Sequence, residues 1–234
     1  NDFEALDEAI GERTCAVILE TIQGECGVYP LEPEFIARAR ELTSARGALL
    51  IFDEIQTGLS RTGPLYSYQD LGVTPDVMTL AKSLGGGVPI GAVVASPRYQ
   101  DTFRPGDHGS TFAGGALACA AALATCHVLE DPALQANVRR CGDRLRAGLR
   151  QLVDEGYAVD VRGRGLMVAI DLIGDGSAPR AVAHLLANRV LVNNTSDRTL
   201  RFLPPLVITE EQIDLVLDAV RAAVVAGRHG ETVA

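Results

Sequence analysis

Ala48-Leu-Leu-Ile-Phe-Asp53 is an apolar run that ends abruptly in a charged side chain, and Val77-Met-Thr-Leu-Ala-Lys82 repeats the pattern. A third run, Cys15-Ala-Val-Ile-Leu-Glu20, ends the same way, and Gly91-Ala-Val-Val-Ala95 lies close behind the second. Short continuous apolar runs are typical of strands that are buried on both faces of a sheet. The sequence therefore predicts an α/β fold.

A helical pattern over 33–46 separates two of these runs, with Pro33 suited to its first turn and Gly47 to the position after its last turn. Strand–helix–strand alternation predicts a mainly parallel sheet. Because ligands of open α/β sheets bind at the carboxyl ends of the strands, Glu20, Asp53 and Lys82 are expected at one functional edge.

The second half of the chain has a different texture. An Ala-rich helix is predicted over Ala113–Leu129, and a striped helix begins at Asp131-Pro132 and ends at Gly156. Further expected elements are strands at 166–172, 190–193 and 199–203, a helix from Ser177, and a last helix opened by the capping box Thr209-Glu-Glu-Gln212. We expect residues 1–130 to belong to a large domain and 131–234 to form a smaller α+β domain.

Composition narrows the functional class. The net charge of -9 argues against binding to a nucleic-acid backbone, and no apolar run is long enough to predict a membrane helix. The acidic, polar N-terminus does not resemble a signal peptide. Five cysteines, an odd number without a Cys-x-x-Cys pair, favour reduced thiols in the cytoplasm.

Lys82 and Asp53 are the candidate catalytic residues. A desolvated lysine at a strand end can form a Schiff base, although a surface lysine before the flexible turn Gly85-Gly-Gly87 is an alternative reading. A carboxylate such as Asp53 can keep a pyridine nitrogen protonated, or it can act as a helix cap or ion-pair partner. A metal held by Asp53 and Glu54 is disfavoured because no histidine lies nearby in the sequence.

Nine short motifs, in order along the chain, resemble the class III aminotransferases of pyridoxal-phosphate fold type I. They are Ile22-Gln-Gly-Glu25, Asp53-Glu-Ile-Gln-Thr-Gly58, Arg61-Thr-Gly63, Thr74-Pro-Asp76, Ala81-Lys-Ser-Leu-Gly-Gly-Gly87, Pro89-Ile-Gly-Ala92, His108-Gly-Ser-Thr111, Arg162-Gly-Arg-Gly-Leu166 and Arg201-Phe-Leu-Pro-Pro205. Thr21, Ala113 and Gly115 depart from the usual family residues. The resemblance is strongest to members that act on N-acetylornithine in arginine biosynthesis.

The resemblance implies a cofactor site. Lys82 would hold pyridoxal 5′-phosphate as a Schiff base and move the proton, and Asp53 would pair with the pyridine nitrogen. Gln56 would hydrogen-bond the ring oxygen. The stretch Asp53, Glu54, Ile55 and Gln56 would line the cofactor. Thr111 would contact its phosphate, across a subunit interface.

The resemblance also implies a substrate site, with Ser110 near the substrate. Glu25 and Arg201 match a gating pair: the glutamate masks the arginine while the amino donor is bound and releases it for 2-oxoglutarate. An arginine fork suits such a carboxylate. A static ion pair, or no pair, is the alternative.

The resemblance implies a homodimer and a chain roughly twice this length. We therefore expect the 234-residue chain to bind cofactor poorly and to turn over slowly or not at all. The alternative to N-acetylornithine as the amino donor is ornithine, 4-aminobutyrate, succinylornithine or a carrier-bound lysine. A non-catalytic, aminotransferase-like module is the alternative of another class.

Overall fold

The computed structural model describes residues 1–228. Its α-helices are α1 Phe3–Ala9, α2 Pro33–Arg46, α3 Ala116–Leu129, α4 Pro132–Asp154, α5 Ser177–Ala187 and α6 Glu210–Arg228. Its strands are β1 Ala16–Glu20, β2 Ile22–Gln23, β3 Tyr29–Pro30, β4 Leu49–Asp53, β5 Val77–Leu80, β6 Ala92–Ala95, β7 Ala158–Arg164, β8 Met167–Leu172, β9 Asn193–Asn194 and β10 Thr199–Phe202.

The first of two compact units comprises residues 1–21, 31–60 and 64–132. Its sheet has the strand order β1-β4-β5-β6. Strands β1, β4 and β5 run parallel to one another, and β6 pairs antiparallel with β5. The predicted α/β fold with a mainly parallel sheet is confirmed.

Helix α2 covers one face of this sheet. It begins at Pro33 and ends at Gly47, which adopts a left-handed φ of 66°, as the sequence predicted. Its buried Ile36 packs in one apolar cluster with Leu50 and Phe52 of β4. All three side chains are inaccessible to solvent, so this cluster fixes the central strand that ends at Asp53.

The second unit comprises residues 22–30, 61–63 and the chain from Ala133 onward. Its antiparallel sheet has the order β7-β8-β10-β9. The predicted stripe of α4 is buried against this sheet at Val138, Cys141, Leu145, Leu149 and Leu152. Reciprocal hydrogen bonds between Thr209 and Gln212 form the predicted capping box before α6. The domain division at 130 stays a prediction.

Three sequence expectations for the local structure were wrong. The predicted strand at 190–193 is reduced to Asn193–Asn194, because the Val190 N–H closes the end of α5 by bonding to Leu185 O. Strand β7 was missed: charged residues occupy positions 160, 162 and 164, and Gly163 interrupts the apolar residues that alternate with them. Helix α3 begins at Ala116 rather than Ala113, after the left-handed Gly114.

Within residues 1–228, no single helix is long and apolar enough to cross a membrane; the length and composition are reached only when α3 and α4 are counted together. All five cysteines are free thiols.

Candidate functional site

The carboxyl ends of three parallel strands form a row in the first unit. In the register of the sheet, Glu20 lies opposite Asp53, and Asp53 lies opposite Thr79. Neighbouring strands are about 4.8 Å apart, and Lys82, three residues beyond Thr79, lies within roughly 10 Å of it along the chain. The structure therefore brings the backbones of Asp53 and Lys82 to the same edge of the sheet.

Lys82 is exposed and opens a short 3-10 helix, Lys82–Gly85. Its φ of 50° lies in the left-handed region, which costs a non-glycine residue roughly 1–3 kcal/mol and is concentrated at functional sites. The turn packs closely against α3: a Cβ added to Gly86 would lie 2.7 Å from Thr125 Oγ1. The strand end and the helix together determine where the lysine leaves the sheet.

Asp53 is half-buried, and its side chain is fixed by the chain that follows it. The Ile55 N–H donates to Asp53 Oδ1 at 2.9 Å, and the Glu54 N–H donates to Thr79 O at 3.0 Å. The backbone turn after β4 thus orients the carboxylate, and the Glu54 N–H ties that turn to β5, the strand that leads to Lys82.

Glu54 is fully buried, and its carboxylate is occupied by the protein's own donors. It accepts hydrogen bonds from Thr57 Oγ1 at 2.7 Å, Tyr68 N at 3.0 Å and Ser67 N at 3.1 Å. Burial raises the pKa of Glu54, against the opposing effect of these donors. The side chain anchors the turn that carries Asp53 and Gln56, and a cofactor contact at position 54 stays a prediction.

The other predicted cofactor and substrate residues fall into two environments. Ile55 and Gln56 are half-buried in the turn after β4. Ser110 and Thr111 are exposed in the irregular segment that precedes α3. Their predicted contacts, with Thr111 acting across a subunit interface, stay predictions.

Glu25 and Arg201 form an ion pair in the second unit. Glu25 Oε1 lies 3.0 Å from Arg201 Nη1, which also donates to Gly24 O at 2.9 Å. Asn193 lies beside the guanidinium; in the amide orientation that satisfies both groups, its oxygen accepts from Arg201 Nη2 at 2.9 Å. The arginine side chain is 9% exposed and the glutamate side chain 69% exposed. The cation is therefore held rigidly, while its counter-ion faces solvent.

Sequence reasoning passed over two signals. Lys82 is the only lysine in the 234-residue sequence, a count that by itself singles out one amine. Arg162 was named only within a family motif, yet its side chain is buried among two carboxylates, a carbonyl and an aromatic ring. The glycine-rich motif around it was the available signal, because glycines permit such close approach.

The residues at the sheet edge fit a pyridoxal cofactor better than a metal ion. A carboxylate and the sole lysine stand at the ends of neighbouring strands, the pairing that a pyridine nitrogen and an aldehyde require. Among residues 1–228, no three His, Cys, Asp or Glu side chains are grouped to hold a metal.

Solved structures share this architecture. An ornithine aminotransferase from Toxoplasma gondii superposes with a TM-score of 0.91 and 39% identity, covering 98% of this chain and 56% of that one. An N-acetylornithine aminotransferase from Stenotrophomonas maltophilia gives a TM-score of 0.89 and 38% identity over 98% of this chain and 61% of its own. The fold class is that of pyridoxal-phosphate-dependent aminotransferases.

The family follows from the sequence as a whole. The family model for aminotransferase class-III matches residues 1–224. The chain belongs to the class-III aminotransferases. An acetylornithine aminotransferase from Caldanaerobacter subterraneus is 44% identical over 218 residues, which are 93% of this chain and 55% of that protein. The chain thus spans about half the length of the curated relatives it matches.

Proposed function

We propose that this protein is a transaminase that uses pyridoxal 5′-phosphate bound through Lys82. The observation that carries the proposal is the register of β4 and β5, which brings Asp53 and the only lysine to one edge of the sheet. Membership of the class-III family supports it independently.

When bound, the cofactor supplies an electron sink for the carbanion formed at the substrate's amino carbon. Asp53 holds a carboxylate where it can keep a ring nitrogen protonated. Lys82 provides the attaching amine and then carries a proton to and from that carbon. Gln56 supplies a hydrogen bond to the ring oxygen, and Thr111 of a second subunit one to the phosphate.

The proposed amino acceptor is 2-oxoglutarate, because Arg201 offers a buried guanidinium for a second carboxylate. When the bound amino donor has no second carboxylate, Glu25 pairs with Arg201. When 2-oxoglutarate binds, Glu25 moves away and Arg201 binds the second carboxylate of this acceptor. Its 69% exposure supports a movable role. Ser110 lies on the substrate side.

The proposed donor is N-acetylornithine or a similar ω-amino compound, in arginine biosynthesis in the cytoplasm. Similarity to an acetylornithine aminotransferase and to an ornithine aminotransferase supports this donor class. The proposed assembly is a homodimer with a shared site.

The test follows the cofactor's absorbance in the purified protein. N-Acetylornithine should bleach the yellow band, and 2-oxoglutarate should restore it. Ornithine, 4-aminobutyrate, succinylornithine and a carrier-bound lysine are compared at equal concentration to rank donors. Because the 234-residue chain alone is expected to turn over slowly or not at all, it is co-expressed with the part of a class-III relative that it does not span. A protein that takes up the cofactor in that form but shows no bleaching with any donor would contradict transaminase activity and favour a non-catalytic module.

A further inference from the structure

The hairpin β2–β3 carries Glu25 in its turn, residues 24–28. One face of the hairpin packs on the sheet: Ile22 and Val28 contact Met167 and Ala169 of β8. All four side chains are inaccessible to solvent. These apolar contacts hold both ends of the turn against β8.

Two arginines rise on either side of Ala169. In the sheet register, Ala169 lies opposite Arg162 on β7 and opposite Arg201 on β10. Residues directly opposite in an antiparallel sheet project from the same face. Each arginine donates to a main-chain carbonyl of the turn: Arg162 Nε to Gly27 O at 2.8 Å, and Arg201 Nη1 to Gly24 O at 2.9 Å. The turn is thus held at both ends by a guanidinium.

Arg162 is paired with two carboxylates. It forms two hydrogen bonds with Asp171, at 2.7 and 3.0 Å, and one with Asp160 at 3.0 Å. Burial lowers its pKa, but the two carboxylates outweigh burial and raise it. Its guanidinium also lies 4.0 Å from the centre of the Tyr29 ring, and Thr199 Oγ1 fixes Asp171 at 2.7 Å.

Arg201 differs in its counter-ion. In the described chain, its carboxylate partner is Glu25, whose side chain is mostly exposed. The backbone is strained beside the Arg162 contact: Val28, directly after Gly27, has a φ of 59°, a region that a β-branched residue avoids. Gly27 itself has a φ of 113°, which glycine adopts readily. A Cβ on Gly27 would lie 3.0 Å from Arg162 Nη2. Such strain persists only where surrounding contacts over-determine the backbone.

We propose that Arg162 is a positioning residue for substrate discrimination: it holds the strained turn so that Glu25 exchanges on and off Arg201 by side-chain rotation, with the hairpin backbone staying in place. This inference rests on the proposed function, because it assigns the Glu25–Arg201 pair to the choice between substrates. Three residues contribute indirectly by holding the Arg162 guanidinium in place: Asp171, Thr199 and Tyr29.

The test measures the two half-reactions separately in the cofactor-loaded protein, as kcat/KM for the ω-amino donor and for 2-oxoglutarate. Arg162→Lys should shift the ratio of the two constants toward 2-oxoglutarate by roughly tenfold or more, the effect of losing one hydrogen bond to a charged group. Glu25→Gln should shift the ratio in the same direction. The double variant should match Glu25→Gln alone, because both act on one contact. Arg150→Lys, which removes an arginine contact to Val161 O on the same strand, is the matched control and should leave the ratio unchanged.

The two proposals fail in different ways. If Glu25→Gln leaves the ratio unchanged, the gate assigned under the proposed function is wrong. If Glu25→Gln shifts it while Arg162→Lys lowers both constants equally, or changes neither, Arg162 has no positioning role.

A second readout needs no turnover. In hydrogen exchange with mass spectrometry, peptides covering 22–30 should exchange roughly tenfold faster or more in Arg162→Lys, with α4 unchanged. Should that variant not fold, Tyr29→Leu removes the ring from the guanidinium and leaves Asp171 in place, and it should show both effects more weakly. Unchanged exchange in the folded variant would overturn the inference.

Discussion

Asp76 is the residue whose replacement should most clearly loosen the sheet edge that positions Asp53 and Lys82. It stands just before β5, and Oδ2 accepts from Leu50 N of β4 and from Arg40 Nη1 of α2, each at 2.8 Å. Its own N–H donates to Leu50 O at 2.8 Å. The side chain is 8% exposed, so one carboxylate joins two strands and the covering helix.

The size of the effect of Asp76→Asn follows from these contacts. The amide oxygen can still accept from the Leu50 N–H, so the lost interaction is the charged bond to Arg40. A hydrogen bond to a charged group contributes roughly 1.5–3 kcal/mol, and partial exposure of Arg40 places this one near the lower end. We expect unfolding of the first unit to become easier by about 2 kcal/mol, or about 1 M in the urea midpoint.

The stability difference between the wild type and Asp76→Asn should decrease as the pH is lowered. Burial raises the pKa of Asp76, but the Leu50 N–H and the Arg40 and Arg98 guanidiniums outweigh it and hold that pKa below its usual range. A carboxyl with a lowered pKa stabilises the fold fully above its unfolded pKa of about 3.9, and this contribution is lost as the pH falls through the folded value. The gap between wild type and variant should therefore close only below about pH 4.

Urea titrations followed by circular dichroism, with hydrogen exchange of the β4 peptide to report the first unit, measure this effect. Asp70→Asn, an exposed aspartate of the same unit, is the control and should change stability by less than about 0.5 kcal/mol. An Asp76→Asn midpoint equal to that control, or a gap that widens with acid, would refute the reasoning.

Three further predictions concern single residues. Gly142→Ala should destabilise the second unit by roughly 2–4 kcal/mol, seen as a lower thermal midpoint, because the new Cβ would lie 2.1 Å from the main-chain oxygen of Gly165. Gly148→Ala on the same helix should cost far less, since the atom it meets belongs to the flexible Leu217 side chain; equal costs would contradict this. Asp53→Asn should keep the stability within about 0.5 kcal/mol, because its amide oxygen can still accept from Ile55 N, yet lose transamination in the absorbance assay; retained turnover would remove Asp53 from the mechanism. Glu25→Gln should cost less than about 1 kcal/mol in urea unfolding, as expected for a solvent-screened pair, and a larger loss would indicate a structural rather than a movable pair.

The sequence predicted the first unit well because its signals are local. Uninterrupted apolar runs specify strands β1, β4 and β5, and the Pro33 and Gly47 boundaries specify α2, whatever surrounds them. Because a charged residue directly follows each of these runs in the sequence, its position at the carboxyl end of the strand can be predicted as well.

What the sequence could not predict depends on contacts between distant segments. Strand β7 carries charged residues at 160, 162 and 164, and its Arg162 is stable in the interior only because Asp171 and Gly27 come from elsewhere in the chain. The pairing of Glu25 with Arg201 came from family resemblance and not from spacing. The hydrogen bonds that the buried Glu54 carboxylate accepts from the Ser67 and Tyr68 N–H groups are a property of the folded turn, and the predicted contact of Glu54 with the cofactor stays a prediction.

The most direct test of the account asks whether Lys82 attaches the cofactor. The protein is saturated with pyridoxal 5′-phosphate, reduced with borohydride, digested and analysed by mass spectrometry, with Lys82→Arg as the charge-matched control. Because Lys82 is the only lysine, its peptide should carry one reduced cofactor, and the variant should carry none at that position. An unmodified Lys82 peptide at saturating cofactor, or label confined to the N-terminal amine, would contradict the central claim.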